Sequence, residues 1–148
     1  MLSQIAIGLI LMIITTFVHA GCTLAALWAL RTAHADRWGL RSGWMMVTLI
    51  AALVVMMFLA AIFEITIWAT TYLVVGAISA LEPALYFSTV TYTTLGYGDV
   101  ILGDSWRLLA SFEAVNGIIL IGWTTALIFA FVRRVASHDE TLAAELHR

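Results

Sequence analysis

Glu82-Pro83-Ala84-Leu85-Tyr86-Phe87-Ser88-Thr89-Val90-Thr91-Tyr92-Thr93-Thr94-Leu95-Gly96-Tyr97-Gly98-Asp99 is the stretch that decides how the rest of the chain is read. Pro83 follows an acidic residue and suits the first turn of a helix, where its missing N–H is no loss and Glu82 complements the helix dipole. From Pro83 to Thr93 is some three turns, roughly 16 Å, or half of a bilayer core of about 30 Å. Long apolar runs flank the stretch, Trp44 to Tyr72 before it and Leu108 to Val132 after it. A helix that stops halfway across must be followed by chain that climbs back out. Such a re-entrant segment is tolerated at membrane depth only where protein buries it or where it lines a wet path.

Composition supports the membrane setting. Of the 148 residues, 63% are hydrophobic and 11% charged, against about 45–50% and about 25% in soluble domains. A soluble enzyme of this size would expose much of that apolar surface and is excluded. The formal charge is −2, with Arg as the only basic residue type besides His, which argues against a nucleic-acid partner. A single cysteine, Cys22, excludes an internal disulfide and a Cys-based zinc site. Ile5 to Leu30 holds no Asp, Glu, Lys or Arg and is long enough to cross once. Val18-His19-Ala20 resembles a signal-peptide cleavage site, but no positive charge precedes it and the apolar run continues beyond it, so a retained helix is expected.

The expected fold is therefore an all-α integral membrane protein with three transmembrane helices plus a re-entrant helix and loop. Its segments are an N-terminal helix (1–30), a connection (31–43), a second helix (44–72), the re-entrant helix (83–93), its loop (94–99), a third helix (106–134) and a tail (135–148). Arg31, Arg37 and Arg41 with Arg133 and Arg134 lie on one side, and only Arg107 on the other. Positive residues collect on the cytoplasmic side, which places the N-terminus outside and the tail inside, in the cell membrane.

Gly96 and Gly98 alternate with Leu95 and Tyr97. A potassium ion gives up its water only where oxygens replace it at comparable energy, as consecutive backbone carbonyls facing one axis do. Aiming them alike needs backbone conformations that Gly adopts cheaply. The C-terminal, negative end of the half-helix faces the membrane centre, where a dehydrated cation is least comfortable. Ala84 to Asp99, ending in Thr94-Leu95-Gly96-Tyr97-Gly98-Asp99, resembles the pore-loop potassium channels of the compact prokaryotic type. The resemblance extends, by helix order, over roughly 44–132. It implies a selectivity filter binding K+ at Thr94, Leu95, Gly96 and Tyr97, with Gly98 completing it, and support from Tyr86 and Asp99. Leu95 replaces the family's usual Val, and Tyr86-Phe87 stands where two Trp are usual, so the aromatic cuff around Tyr97 is expected to lose a donor at Phe87. One loop per chain implies a homotetramer in the lipid bilayer. K+ is the permeant ion, with no cofactor, no nucleic acid and no other small-molecule substrate.

Glu113 is expected at the depth of the pore helix, accepting hydrogen bonds from its Thr or Tyr hydroxyls or pairing with His19. Counting from Trp44 places Glu64 about 30 Å up, near the outer surface and poorly matched to His19. His19 is read as a packing residue rather than a metal ligand. Gly117, with Gly122 as reserve, is the candidate gating hinge by resemblance. Gly21, Ala25, Ala29 and Gly122, Ala126, Ala130 repeat at a spacing that lets helices approach. No helix carries the regular Arg of a voltage sensor, and the tail is too short for a ligand-binding domain. The expectation is a voltage-independent potassium channel that catalyses no reaction. The alternatives are a weakly selective cation pore, a non-conducting sensor or accessory subunit, and, least, a membrane-embedded enzyme.

Overall fold

The computed structural model describes residues 1–35 and 43–146. Arg37 and Arg41, which carry part of the orientation argument, and residues 147–148 lie outside the described residues. Among the described residues there are four helices: α1 (Leu2–Ala35), α2 (Gly43–Val74), α3 (Leu81–Tyr92) and α4 (Arg107–Leu146). Three of them contain stretches long and apolar enough to cross a membrane, Leu2–Ala29, Val47–Val74 and Arg107–Arg133. The chain is a multi-pass membrane protein.

The helices overrun the bounds expected from hydropathy. α1 continues past Leu30, α2 reaches Val74, and α4 carries the tail on as helix to Leu146. Once a span is nucleated, each added residue gains a backbone bond whether or not it is apolar. α3 has 12 residues, about 18 Å, with Glu82 in its first turn. It starts two residues before Pro83 and ends at Tyr92.

α3 packs against α2 and α4, and α1 packs against the same two helices, whereas α1 and α3 make no close backbone approach. Trp68, Tyr72, Phe87, Tyr92, Leu109 and Leu120 form the larger core, around the re-entrant helix. A smaller cluster of Ala26, Leu53, Met57 and Phe131 joins α1, α2 and α4 towards the other end. Phe17, Leu24, Phe58, Phe63, Ile118 and Phe129 face outwards, as a lipid or subunit contact requires.

The small-residue stripes do not do what their spacing suggested within the chain. Gly21 and Gly122 have nothing within 4 Å of where a Cβ would stand, and Ala25, Ala126 and Ala130 are exposed. The close approaches occur elsewhere. A Cβ on Gly8 would stand 2.7 Å from Cγ of Phe112, so α1 meets α4 there.

Candidate functional site

The loop leaves α3 at Thr93 (φ −78°, ψ −1°). From there φ is positive at every second residue: 60° at Thr94, 57° at Gly96 and 78° at Gly98. The N–H groups of Thr94, Leu95 and Gly96 bond back to the last turn of α3, to Thr91 O at 2.9 Å and to Val90 O at 2.9 and 3.2 Å. The peptides of the described residues are all trans, and across a planar trans peptide the C=O of one residue opposes the N–H of the next. The bonds from Leu95 and Gly96 therefore turn the carbonyls of Thr94 and Leu95 away from the helix. Among the described residues, the carbonyls of Thr94, Leu95, Gly96 and Tyr97 accept no hydrogen bond. The whole segment is exposed in the single chain.

Gly96 and Gly98 are needed for conformation and not for room, since open space surrounds both positions. Thr94 has no such freedom. A β-branched residue at φ 60° is an outlier that costs of order 1–3 kcal/mol and persists where surrounding contacts over-determine it. Nothing in the Thr-Thr-Leu-Gly pattern announces that strain.

Tyr86 and Asp99, expected to support the filter, are brought together: the Tyr86 hydroxyl donates to Asp99 Oδ2 at 2.6 Å. The Val100 N–H donates to the other oxygen at 3.1 Å. The Tyr86 bond holds the Asp99 carboxyl below the usual carboxylate range and pushes the phenol up. Phe87 is buried in the core, its ring edge-on to Tyr72 at 5.2 Å.

Behind α3 lies a buried polar layer. Glu113 is 0% exposed and accepts from Tyr72 of α2 at 2.6 Å and from Ser88 of α3. The pore-helix hydroxyl is thus that of Ser88, not of a Thr or Tyr, and His19 is not the partner. The Ile65 carbonyl also lies 2.9 Å from Ser88 Oγ, so the single hydroxyl hydrogen is shared between it and Glu113. Glu64, also 0% exposed, corrects the depth count. It accepts from Tyr92, the last residue of α3, and lies 3.0 Å from Nδ1 of His19. The count failed because α2 runs on for ten residues beyond Glu64, so Trp44 does not mark a membrane boundary. His19 Nε2 lies 3.2 Å from the Thr124 hydroxyl, and its ring stands edge-on to Trp123 at 5.5 Å. One turn earlier on α1, Thr15 accepts from Asn116 at 2.8 Å. Neither α1 tie was foreseen. Their only sequence signal was polar residues inside apolar runs.

Gly117 is buried on α4, and a Cβ there would overlap the carbonyl of Tyr92. Close approach to the base of α3 accounts for this glycine, and α4 is one continuous helix through it. Gly122, the reserve hinge, is exposed with open space around it.

A family model described as ion channel matches residues 60–134, half of the chain. The chain belongs to this family. No curated protein and no solved structure matches it. The matched region of the channel holds α3, the loop, both buried carboxylates, the C-terminal part of α2 and most of α4, while α1 lies outside it.

Proposed function

We propose that the channel conducts K+ selectively and passively across the cell membrane, independently of voltage, as a homotetramer. The observation that carries this reading is the run of four carbonyls, Thr94 to Tyr97, that accept no hydrogen bond on a backbone of alternating handedness. An unpaired carbonyl away from water costs about as much as a lost hydrogen bond, and a dehydrated cation supplies what it lacks. Four loops around one axis complete each ring of oxygens, and closed symmetry supplies them from four copies. The exposure of Leu95 and Tyr97 in the single chain fits neighbours on either side. The ion is cargo, so the reading requires neither a cofactor nor a covalent step.

The proposed orientation puts the N-terminus and the loop side outside and the C-terminal end of α4 inside, following the arginine bias. Protein reconstituted in liposomes with a K+ gradient tests the function. Barium-sensitive flux that prefers K+ to Na+ is expected. Equal flux of both ions would replace the reading with a weakly selective cation pore, and no flux would replace it with a non-conducting subunit. Cysteines at Ser3 and Asp104 are expected to label from outside with an impermeant reagent; labelling of Ser3 from inside would overturn the orientation.

A further inference from the structure

α1 lies outside the family match, yet it holds one end of a buried chain of polar contacts whose other end is the root of the loop. The Glu64 carboxylate accepts from the Tyr92 hydroxyl on Oε2 and faces His19 Nδ1 with Oε1 at 3.0 Å. His19, Glu64 and Tyr92 are 1%, 0% and 1% exposed. Because α1 and α3 make no close backbone approach, His19 reaches the re-entrant helix through Glu64. Tyr92 is held at both ends: its hydroxyl by Glu64, and its carbonyl by the close pass of Gly117. Two residues further on, the strained Thr94 begins the alternation, and the N–H groups of residues 94 to 96 hang on the same turn of helix.

A buried carboxylate with a free oxygen is costly, and it turns towards whatever donor is within reach. With His19 in place, each oxygen of Glu64 has one partner and its plane is set. Without it, Oε1 is left without a donor in the described structure, and the carboxylate is free to rotate and take the Tyr92 hydroxyl with it. The second ring nitrogen is met by Thr124 of α4, so the imidazole itself is held from two helices. Asn116 donating to Thr15 keeps the neighbouring turn of α1 in register.

The geometry points to His19 as a positioning residue of the filter: through Glu64 it orients Tyr92 and thereby the turn from which the ion-binding carbonyls depart. On this assignment α1 is part of the selectivity apparatus, where a packing helix would contribute only to the amount of assembled protein. The inference rests on the reading of Thr94 to Tyr97 as a cation filter.

The test is the K+/Na+ permeability ratio, from reversal potentials of the full-length channel in bilayers. His19→Leu removes the donor at similar bulk, and Tyr92→Phe removes only the hydroxyl at the far end of the relay. Each is expected to lower the ratio about tenfold, equivalent to about 1.4 kcal/mol and within the range for one unsatisfied buried polar group. The double variant is expected to fall no further than the worse single one, since both break the same chain. His19→Asn keeps an N–H near the position of Nδ1 and is expected to restore the ratio to within about twofold. A wild-type ratio in assembled His19→Leu channels, or in Tyr92→Phe, overturns the proposal, as does a loss in His19→Asn equal to that in His19→Leu. If His19→Leu does not assemble, Tyr92→Phe and His19→Asn decide by the same criteria. Wild-type channels that conduct K+ and Na+ equally would remove the filter reading itself, and this proposal with it. Selective wild-type channels with unaffected variants would remove the proposal alone.

Discussion

The loop at 94–98 and the layer behind α3 are both rich in polar atoms, and they treat them in opposite ways. In the loop, four successive carbonyls accept nothing and the segment is exposed in the single chain. In the layer, Glu64 and Glu113 are fully buried, and each carboxylate oxygen has a partner. On the proposed reading, oxygens that would exchange partners with a passing ion are left open, and those that hold the frame are closed. The frame has to be the more rigid of the two, because Thr94 sits in a conformation that only its surroundings maintain.

The contrast can be broken most severely at the contact between its two halves. Gly117→Ala places a methyl group against the Tyr92 carbonyl, so α4 and α3 must separate. Overpacking of this kind costs about 1–3 kcal/mol per chain. Loss of both flux and tetramer is expected, read by size-exclusion chromatography and liposome flux. Intact, conducting tetramers would show that α4 yields there and would reopen its use as a hinge.

Gly96→Ala should separate the halves, because φ is 57° and no atom lies within 4 Å of the new methyl group. The penalty is conformational, about 1–2 kcal/mol per chain. Flux is expected to fall to background while the proposed tetramer still assembles. Normal K+ selectivity in this variant would sink the role assigned to the loop.

Glu113→Leu strikes the frame alone. It leaves the Tyr72 and Ser88 hydroxyls without their carboxylate, although Ser88 keeps the Ile65 carbonyl. The cost is about 1–3 kcal/mol per unsatisfied buried group, repeated in each subunit. A lower melting temperature is expected for Leu than for Gln, which preserves shape and an acceptor. A Leu variant as heat-stable as the parent would show that the carboxylate does not brace α3.

The smallest effect is expected at the exposed pair. Asp99 is held below the ordinary carboxylate range by Tyr86. The bond is therefore fully present above the ordinary value of about 3.9 and is lost as pH falls through the lowered one. In Tyr86→Phe the carboxyl returns towards its ordinary range, so acid loss of conductance should begin at higher pH. Identical acid limbs for the parent and Tyr86→Phe, measured on the loop side, would show that this bond does not support conduction.

How much could be read in advance follows the same division. The loop's conformation was legible where its demands are local: Gly96 and Gly98 stand at alternate positions after a helix of half-membrane length, and both adopt positive φ. The spans were legible from composition. Partners across helices were not, because they depend on where each helix crosses its neighbour. Glu64 was set at the wrong depth by treating the start of an apolar run as a membrane boundary. The contact of Phe87 with Tyr72 in the core was not foreseen. The conformation of Thr94 left no trace in residue type, since threonine is a poor choice for φ 60°. For Glu113 the expected depth and class of partner agree with its contacts, while the donors turned out to be Ser88 and Tyr72.

The two ties between α1 and the rest, His19 with Glu64 and Thr15 with Asn116, bear on how this molecule can be taken apart. Pore units of this kind invite transplantation, and the family match at 60–134 looks like a natural cassette. Excised at that boundary, the cassette would keep the Tyr92 hydroxyl on one oxygen of Glu64 but abandon His19 on the other, and would leave Asn116 without Thr15. A chimera would therefore need α1 as well, because buried polar groups made orphans are worse than none at all, and an apolar residue in place of Glu64 would only pass the loss to the Tyr92 hydroxyl. Among the described residues, α1 to α4 taken together are what keep these buried polar partners paired.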